Sequence, residues 1–242
     1  MDIVWNESEQ QHVADHPHRT QSSPPPLPAP NIFYDCRMNS AQPIVFRNAT
    51  LADVPAVVEL VESAYRGTGS RAGWTTEADL LDGQRTDEIE IREIISGAHS
   101  RIRLAQQHNA IERDHLSTEA HARMPQHALT PTSSIVACVR IENSGDAGYI
   151  GMVSVRPTLQ AAGIGRQLLQ EAERVIRDEF GLSRARMTVI GQRETLITWY
   201  QRRGYLLTGK REKFPYGEPR AGTPRRDDLY FEVLEKTLTP HH

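Results

Sequence analysis

The stretch Met152-Val-Ser-Val-Arg-Pro-Thr-Leu-Gln-Ala-Ala-Gly-Ile-Gly-Arg-Gln-Leu-Leu169 is where residue type and spacing point to chemistry. An apolar run reads as a strand, Pro157 ends it, a turn holds Gly163 and Gly165, and an amphipathic helix begins at once. Glycines in such a turn let the backbone curl and aim successive N–H groups at one point beside a helix N-terminus. That arrangement binds phosphate or pyrophosphate without a lysine. No Gly-Lys-Ser/Thr follows, which excludes a Walker loop, and G-x-G-x-x-G fails at Leu168, which excludes the dinucleotide fingerprint. On these residues alone, a ligand-free strand-to-helix connection is the other reading.

The elements that must position this turn follow from periodicity. Residues 44–49 read as a strand, and Thr50 with Asp53 three residues on forms a capping signal. The helix it opens carries Leu51, Val54, Val57, Val58, Val61 and Tyr65 on one face and ends at Gly67. A short helix is predicted over 77–81, stopping at Gly83, and another after Thr86 with Ile91, Ile94 and Ile95, stopping at Gly97. Strands are predicted at 102–105, 135–141 and 149–155, the first two as a hairpin with an enlarged turn. A helix at 165–180 capped by Gly181, a strand at 187–190, a helix at 194–203 closed by Gly204, and strands at 205–208 and 229–234 complete the chain. The order β-α-α-α-β-β-β-α-β-α-β-β describes a single mixed α/β domain.

Composition sets the outer limits. Of 242 residues, 38% are hydrophobic and 24% charged, and the formal charge of −3 gives no electrostatic case for nucleic acid. Two cysteines without a C-x-x-C spacing exclude a disulfide-stapled or Cys-rich zinc module. No apolar run of about 18 residues exists, so no membrane span is expected. With no apolar leader behind a basic start, a cytoplasmic protein is expected. Residues 1–43 hold Pro17, Pro24, Pro25, Pro26, Pro28 and Pro30 with few aliphatics, and read as a disordered Pro/His-rich tail. Met38 is an alternative start. The polar stretch 106–134 carries His108, His115, His121 and His127, whose spacing fits no metal clip, and reads as a solvated insertion in a domain spanning 44–238.

Gln160-Ala-Ala-Gly163-Ile-Gly165 resembles the Q/R-x-x-G-x-G/A loop of the GCN5-related N-acetyltransferase (GNAT) superfamily, and Trp199-Tyr200-Gln-Arg-Arg-Gly204-Tyr205 resembles its second signature. Ala64-Tyr-Arg-Gly67, Gly73-Trp-Thr-Thr-Glu77 and Phe214-Pro-Tyr-Gly217 suggest a bacterial-type subgroup. The resemblance implies a single mixed-sheet acetyltransferase domain that uses acetyl-CoA and no metal, acts on a small-molecule or peptide amine, and leaves a homodimer open. It implies that the strand before the loop splays at a bulge, so that Val153, Ser154 and Val155 pair with the pantetheine arm. Backbone N–H groups of Ala161, Ala162, Gly163, Ile164, Gly165 and Arg166 would hold the pyrophosphate, with Gln160 opening the loop. Arg166 reads alternatively as a solvated first-turn arginine.

The resemblance also makes Tyr200 the general acid for the departing thiolate, with a core tyrosine as the alternative reading. A backbone N–H near Val153 would polarise the thioester carbonyl. The strand carries no glutamate where many relatives have their base. Glu142, or Glu77 and Asp79 after Trp74, are the candidate substitutes. Gln192-Arg193 stands where a relative often has Asn, which puts cofactor contacts in that turn in question. The long turn 210–227, Trp74 and Tyr216 are candidate acceptor contacts. The function so implied is acetyl transfer to a primary amine. The alternative is an acyl-CoA-binding or sensing module without turnover.

Overall fold

A computed structural model describes residues 43–108 and 133–239. The expected tail, Met38 and the interior of the polar insertion, with His115, His121 and His127, lie outside the described residues.

Strand β1 (Ile44–Asn48) leads through a single 3-10 turn into helix α1 (Val54–Tyr65). The turn is fixed by the expected capping box: the Thr50 backbone N–H and hydroxyl both donate to Asp53 Oδ2 at 2.8 Å. A four-residue helix α2 (Gly67–Ser70) follows. The helix expected at 77–81 is absent: residues 78–80 form a turn, and strand β2 (Leu81–Asp82) pairs instead with β8 (Thr223–Pro224). A strand partner some 140 residues away is invisible to local periodicity, and it overrides the weak helical pattern.

Helix α3 (Glu88–Ser96) starts on the Asp87 side chain, which accepts from Glu90 N–H at 2.7 Å. Strands β3 (Ser100–His108) and β4 (Ser133–Asn143) form the expected antiparallel hairpin, and both reach into the stretch first read as insertion. Strand β5 (Gly148–Val155) runs into helix α4 (Ile164–Arg174), which continues as one π-type turn over Val175–Glu179. Strand β6 (Arg184–Ile190), helix α5 (Glu194–Gln201), strand β7 (Leu206–Lys213) and strand β9 (Tyr230–Thr237) complete the chain. Residues 210–213 of the expected long turn are therefore strand.

The main sheet has seven strands in the order β1-β3-β4-β5-β6-β9-β7, antiparallel except where β5 meets β6. Strand alternation sends buried side chains to two cores. Ile102, Leu104 and Cys138 pack with α1 and α3, while Ala105, Val139 and Ile141 pack with α4 and α5. The sheet is thus the middle of three layers. Among the described residues no helix is long and apolar enough to cross a membrane.

Pairing of β5 with β6 is limited to Gly148↔Ala185 and Tyr149↔Arg186. A Cβ on Gly148 would meet the Ile176 side chain at 2.4 Å, so the closed end of this strand pair accommodates no larger residue. Gly148→Ala should destabilise the fold by about 1–3 kcal/mol through overpacking. A urea midpoint unchanged from wild type would contradict that packing.

Candidate functional site

Beyond Tyr149 the facing edges of β5 and β6 separate, and the sheet opens. One cause is visible in β5. Met152 adopts φ +52, and Val139 on β4 faces both Met152 and Val153, so the register slips between Cys138 and Arg140. This is a β-bulge, which bends its strand and re-aims the residues after it. An αL conformation at a non-glycine residue costs about 1–2 kcal/mol, which the burial of Met152 must offset. The opening lets both layers reach one space. Tyr65 comes from the α1 side and Tyr200 from the α5 side, and both line an outer cleft of about 170 Å³ and an inner cavity of about 150 Å³. Val153, Arg193 and Leu196 complete this shared waist.

The outer cleft is walled by the expected loop. Ala161 and Gly163 both take positive φ, +79 and +81, and Gly163 is the N-cap of α4. The first N–H groups of a helix have no i−4 acceptor within it; that of Arg166 bonds the Gly163 carbonyl at 3.1 Å, while those of Ile164 and Gly165 are available to an anion at the positive end of α4. Gly165 lines the cleft with ordinary negative φ. A Cβ there would make only van der Waals contacts, with Trp199 and Val155 at 3.6–3.7 Å. Nothing in the fold requires glycine at 165, and its missing side chain leaves the cradle open. These features fit a pyrophosphate.

Gln160 is placed at the loop, but its amide serves the protein. Its Oε1 accepts from Trp74 N–H at 2.9 Å, and its Nε2 donates to Thr75 Oγ1 at 2.9 Å and to the Val155 carbonyl at 3.2 Å. It ties the segment around Trp74 across the loop, and Trp74 in turn stands 6.0 Å from the Trp199 ring. Arg166 lies exposed at the cleft and makes no ion pair among the described residues. Ser154 turns inward, fully buried, with Oγ donating to the Met152 carbonyl at 3.2 Å.

The inner cavity is built around Glu77, which is 6% exposed. Arg66 donates to its Oε2 at 2.5 Å and Arg193 to its Oε1 at 2.8 Å. Arg193 also donates to the Thr75 carbonyl, and so joins the turn before α5 to the Trp74 segment. Burial pushes the Glu77 carboxyl up, but Arg193, Arg85 and Arg66 outweigh it and hold the group below the usual carboxylate range. Tyr65 donates its hydroxyl to the Val153 carbonyl at 2.9 Å, and burial, with Glu77 nearby, pushes its phenol up to about 12. Burial likewise raises Tyr200, with Tyr65 adding to the shift. Unlike Tyr65, the Tyr200 hydroxyl has no hydrogen-bond partner among the described residues.

The structure brings together Tyr200, Val153, Val155, the 160–166 loop and Glu77. It does not bring in Glu142, which is bonded to Arg140 beside Glu90 and Glu93 in a separate depression. Strand alternation around Glu142 gave no sign of which end of β4 faces the opening. Asp79 is exposed and paired with Arg71, and Tyr216 stacks on Phe214 in another hollow, while Trp74 does wall the cleft. Two residues carry more of the site than their local sequence signals: Tyr65 in the apolar stripe of α1, and Arg85 in a turn. Cys138 is fully buried, and burial pushes its thiol up to about 12, which rules it out as a nucleophile. Among the described residues no cluster of three or more His, Cys, Asp or Glu could hold a metal.

Residues 90–205 match the model of the acetyltransferase (GNAT) family. No curated protein matches the sequence significantly. Similar solved structures include the ribosomal-protein-S18-alanine N-acetyltransferase of Escherichia coli, 11% identical, covering 83% of this chain and 97% of that one, with a TM-score of 0.52. A variant of the spermidine N-acetyltransferase SpeG of Vibrio cholerae is 9% identical, covering 80% of this chain and 93% of that one, with a TM-score of 0.51. The shared feature is the fold.

Breaking the Glu77 network leaves buried guanidiniums unpaired, so Glu77→Gln should cost about 3–5 kcal/mol at neutral pH. A carboxylate whose folded pKa is depressed contributes stability above its unfolded value, about 4.3, and loses it as pH falls through the folded value. The gap between wild type and Glu77→Gln should therefore be widest near neutrality and shrink below about pH 4. Denaturant titrations across that range that show a constant gap would contradict the ionised network.

Proposed function

We propose that this chain, whose residues 90–205 match the model of the GNAT acetyltransferase family, moves an acetyl group from acetyl-CoA to a primary amine. The observation that carries the proposal is the opened waist between β5 and β6, where a free phenol, a bulged strand edge and an anion-receptive helix start converge. In this reading residues 44–238 are the transferase domain, and the stretch around 106–134 is an insertion between two of its strands.

The outer cleft would receive the donor. Backbone N–H groups from Ala161 to Arg166 hold the pyrophosphate, once those of Ala162 and Arg166 leave the Leu159 and Gly163 carbonyls, and the β5 edge at Val153 to Val155, whose Val153 and Val155 carbonyls already accept from Tyr65 and Gln160, binds the pantetheine arm through its N–H groups. An N–H near Val153 polarises the thioester carbonyl, and the inner cavity presents the amine from the other side of the waist. As the amine nitrogen bonds to the carbonyl carbon, the carbon–sulfur bond breaks and the thiolate takes a proton. The nitrogen releases its own proton to water in the cavity. Tyr200 supplies the thiolate's proton: its phenol is held neutral by burial, and its hydroxyl has no competing partner among the described residues. Tyr65 is less suited, since its hydroxyl proton is committed to the Val153 carbonyl.

The second reading, an acyl-CoA-binding module without turnover, draws on the state of Glu77. Ionised and bound by Arg66 and Arg193, it is a weak base. The two readings separate on one assay, thiol release from acetyl-CoA in the presence of an amine panel. Tyr200→Phe should bind acetyl-CoA as wild type does and turn over at least about tenfold more slowly, within the range that general-acid help supplies. Unchanged turnover would remove Tyr200 from the chemistry. Binding without amine-dependent release in wild type would favour the sensor.

A further inference from the structure

Resting on the acetyl-transfer reading, we propose that the amine acceptor carries an anionic group, a carboxylate or its equivalent, that is bound by Arg85 in the inner cavity.

Three charged side chains line that cavity: Glu77, Arg85 and Arg193. Glu77 is already saturated, with one oxygen on Arg66 and the other on Arg193. Arg193 is equally occupied, by Glu77 and the Thr75 carbonyl. Arg85 differs. Its guanidinium has no ion pair and no side-chain hydrogen bond among the described residues: the ring of Tyr65 lies 5.4 Å from its Cζ, and the charges of Glu77 and Glu90 act on it without touching it. A guanidinium cannot be deprotonated in a protein, so this positive charge persists at every working pH. The segment that carries it is held firmly. Glu62 Oε1 accepts the backbone N–H groups of Arg85 at 2.6 Å and of Thr86 at 2.8 Å. Glu90, whose charge also acts on Arg85, accepts from the Thr86 hydroxyl at 2.7 Å.

The lining therefore presents a fork of guanidinium N–H donors that has no ion pair among the described residues, on a segment whose backbone is held by Glu62. Such a fork matches a carboxylate in two-pronged geometry. The Arg85 charge also disfavours a polyamine, whose remote ammonium would enter a cavity where the one lining carboxylate is already bound twice. Position sets the scale of the acceptor. Arg85 stands against the Tyr65 ring, and the hydroxyl of that ring rests on the Val153 carbonyl at the waist. One side chain thus links the guanidinium to the waist, which suits a compact acceptor better than a long chain.

The test compares L-amino acids with their amides and their decarboxylated amines in the thiol-release assay, with spermidine as the cationic control. Wild type should prefer an amino acid over its own amide by at least about tenfold in kcat/KM. Arg85→Gln should collapse that preference through KM, with acetyl-CoA binding unchanged. Arg85→Lys, which keeps the charge without the fork, should recover part of it. Amides or spermidine used as well as amino acids would overturn the inference and leave acetyl transfer standing. If no amine supports release, the transfer reading fails instead, and calorimetry with N-acetyl amino acids then decides the point. Binding to wild type that is lost in Arg85→Gln upholds the anion site, and equal binding or none overturns it.

Discussion

The structure depends on the parting of two parallel strands. Backbone N–H and C=O groups inside a sheet need partners, and β5 and β6 pair with each other only at Gly148 and Tyr149 before they diverge. Their outer edges are satisfied by β4 and β9, so the facing edges open into one space, where Tyr65 and Gln160 take up the Val153 and Val155 carbonyls. The bulge at Met152 and Val153 holds β5 away, and the packing of Gly148 against Ile176 closes the other end. A continuous sheet would keep Tyr65 and Tyr200 in separate cores. Parted, it lets residues from both layers meet in the middle of the molecule.

Around this opening the polar groups have divided duties. Gln160 and Arg193 both bind the segment from Trp74 to Glu77, one from the loop before α4 and the other from the turn before α5. That segment has little regular structure of its own, and these side chains take the place of secondary structure in fixing it. The groups left uncommitted are then the informative ones: the Tyr200 hydroxyl at the waist and the Arg85 guanidinium in the inner cavity. A carboxylate held by two guanidiniums shapes and charges the cavity, and its affinity for a proton is low.

Much of this was legible in the residues. Every strand of the main sheet overlaps a stretch read as strand from its apolar residues, though β7 continues past Leu206 and Leu207 into charged sequence, and Gly163 marks the start of α4. Thr50 with Asp53 marks the start of the first helical segment. The misses share a cause. The 77–81 segment becomes a turn and a strand because its partner, Thr223–Pro224, is distant in the chain, and the departure from helix follows from that pairing. Glu142 and Glu77 are indistinguishable as isolated glutamates. Their roles separate only when Glu77 meets Arg66 and Arg193, and Glu142 meets Arg140 far from the waist. Arg85 carried no signal, because a charge in a turn reads as solvated until the fold shows what surrounds it.

The central claim is that the parted edge of β5 and the start of α4 together receive an acyl-CoA. Amide hydrogen exchange with and without acetyl-CoA tests it most directly, since it reports on the backbone groups themselves. The account predicts slowed exchange at residues 153–155 and 161–166, with β1 and β3 unaffected. Protection absent from both stretches, or confined to the separate depression between α3 and the end of β4, would contradict it.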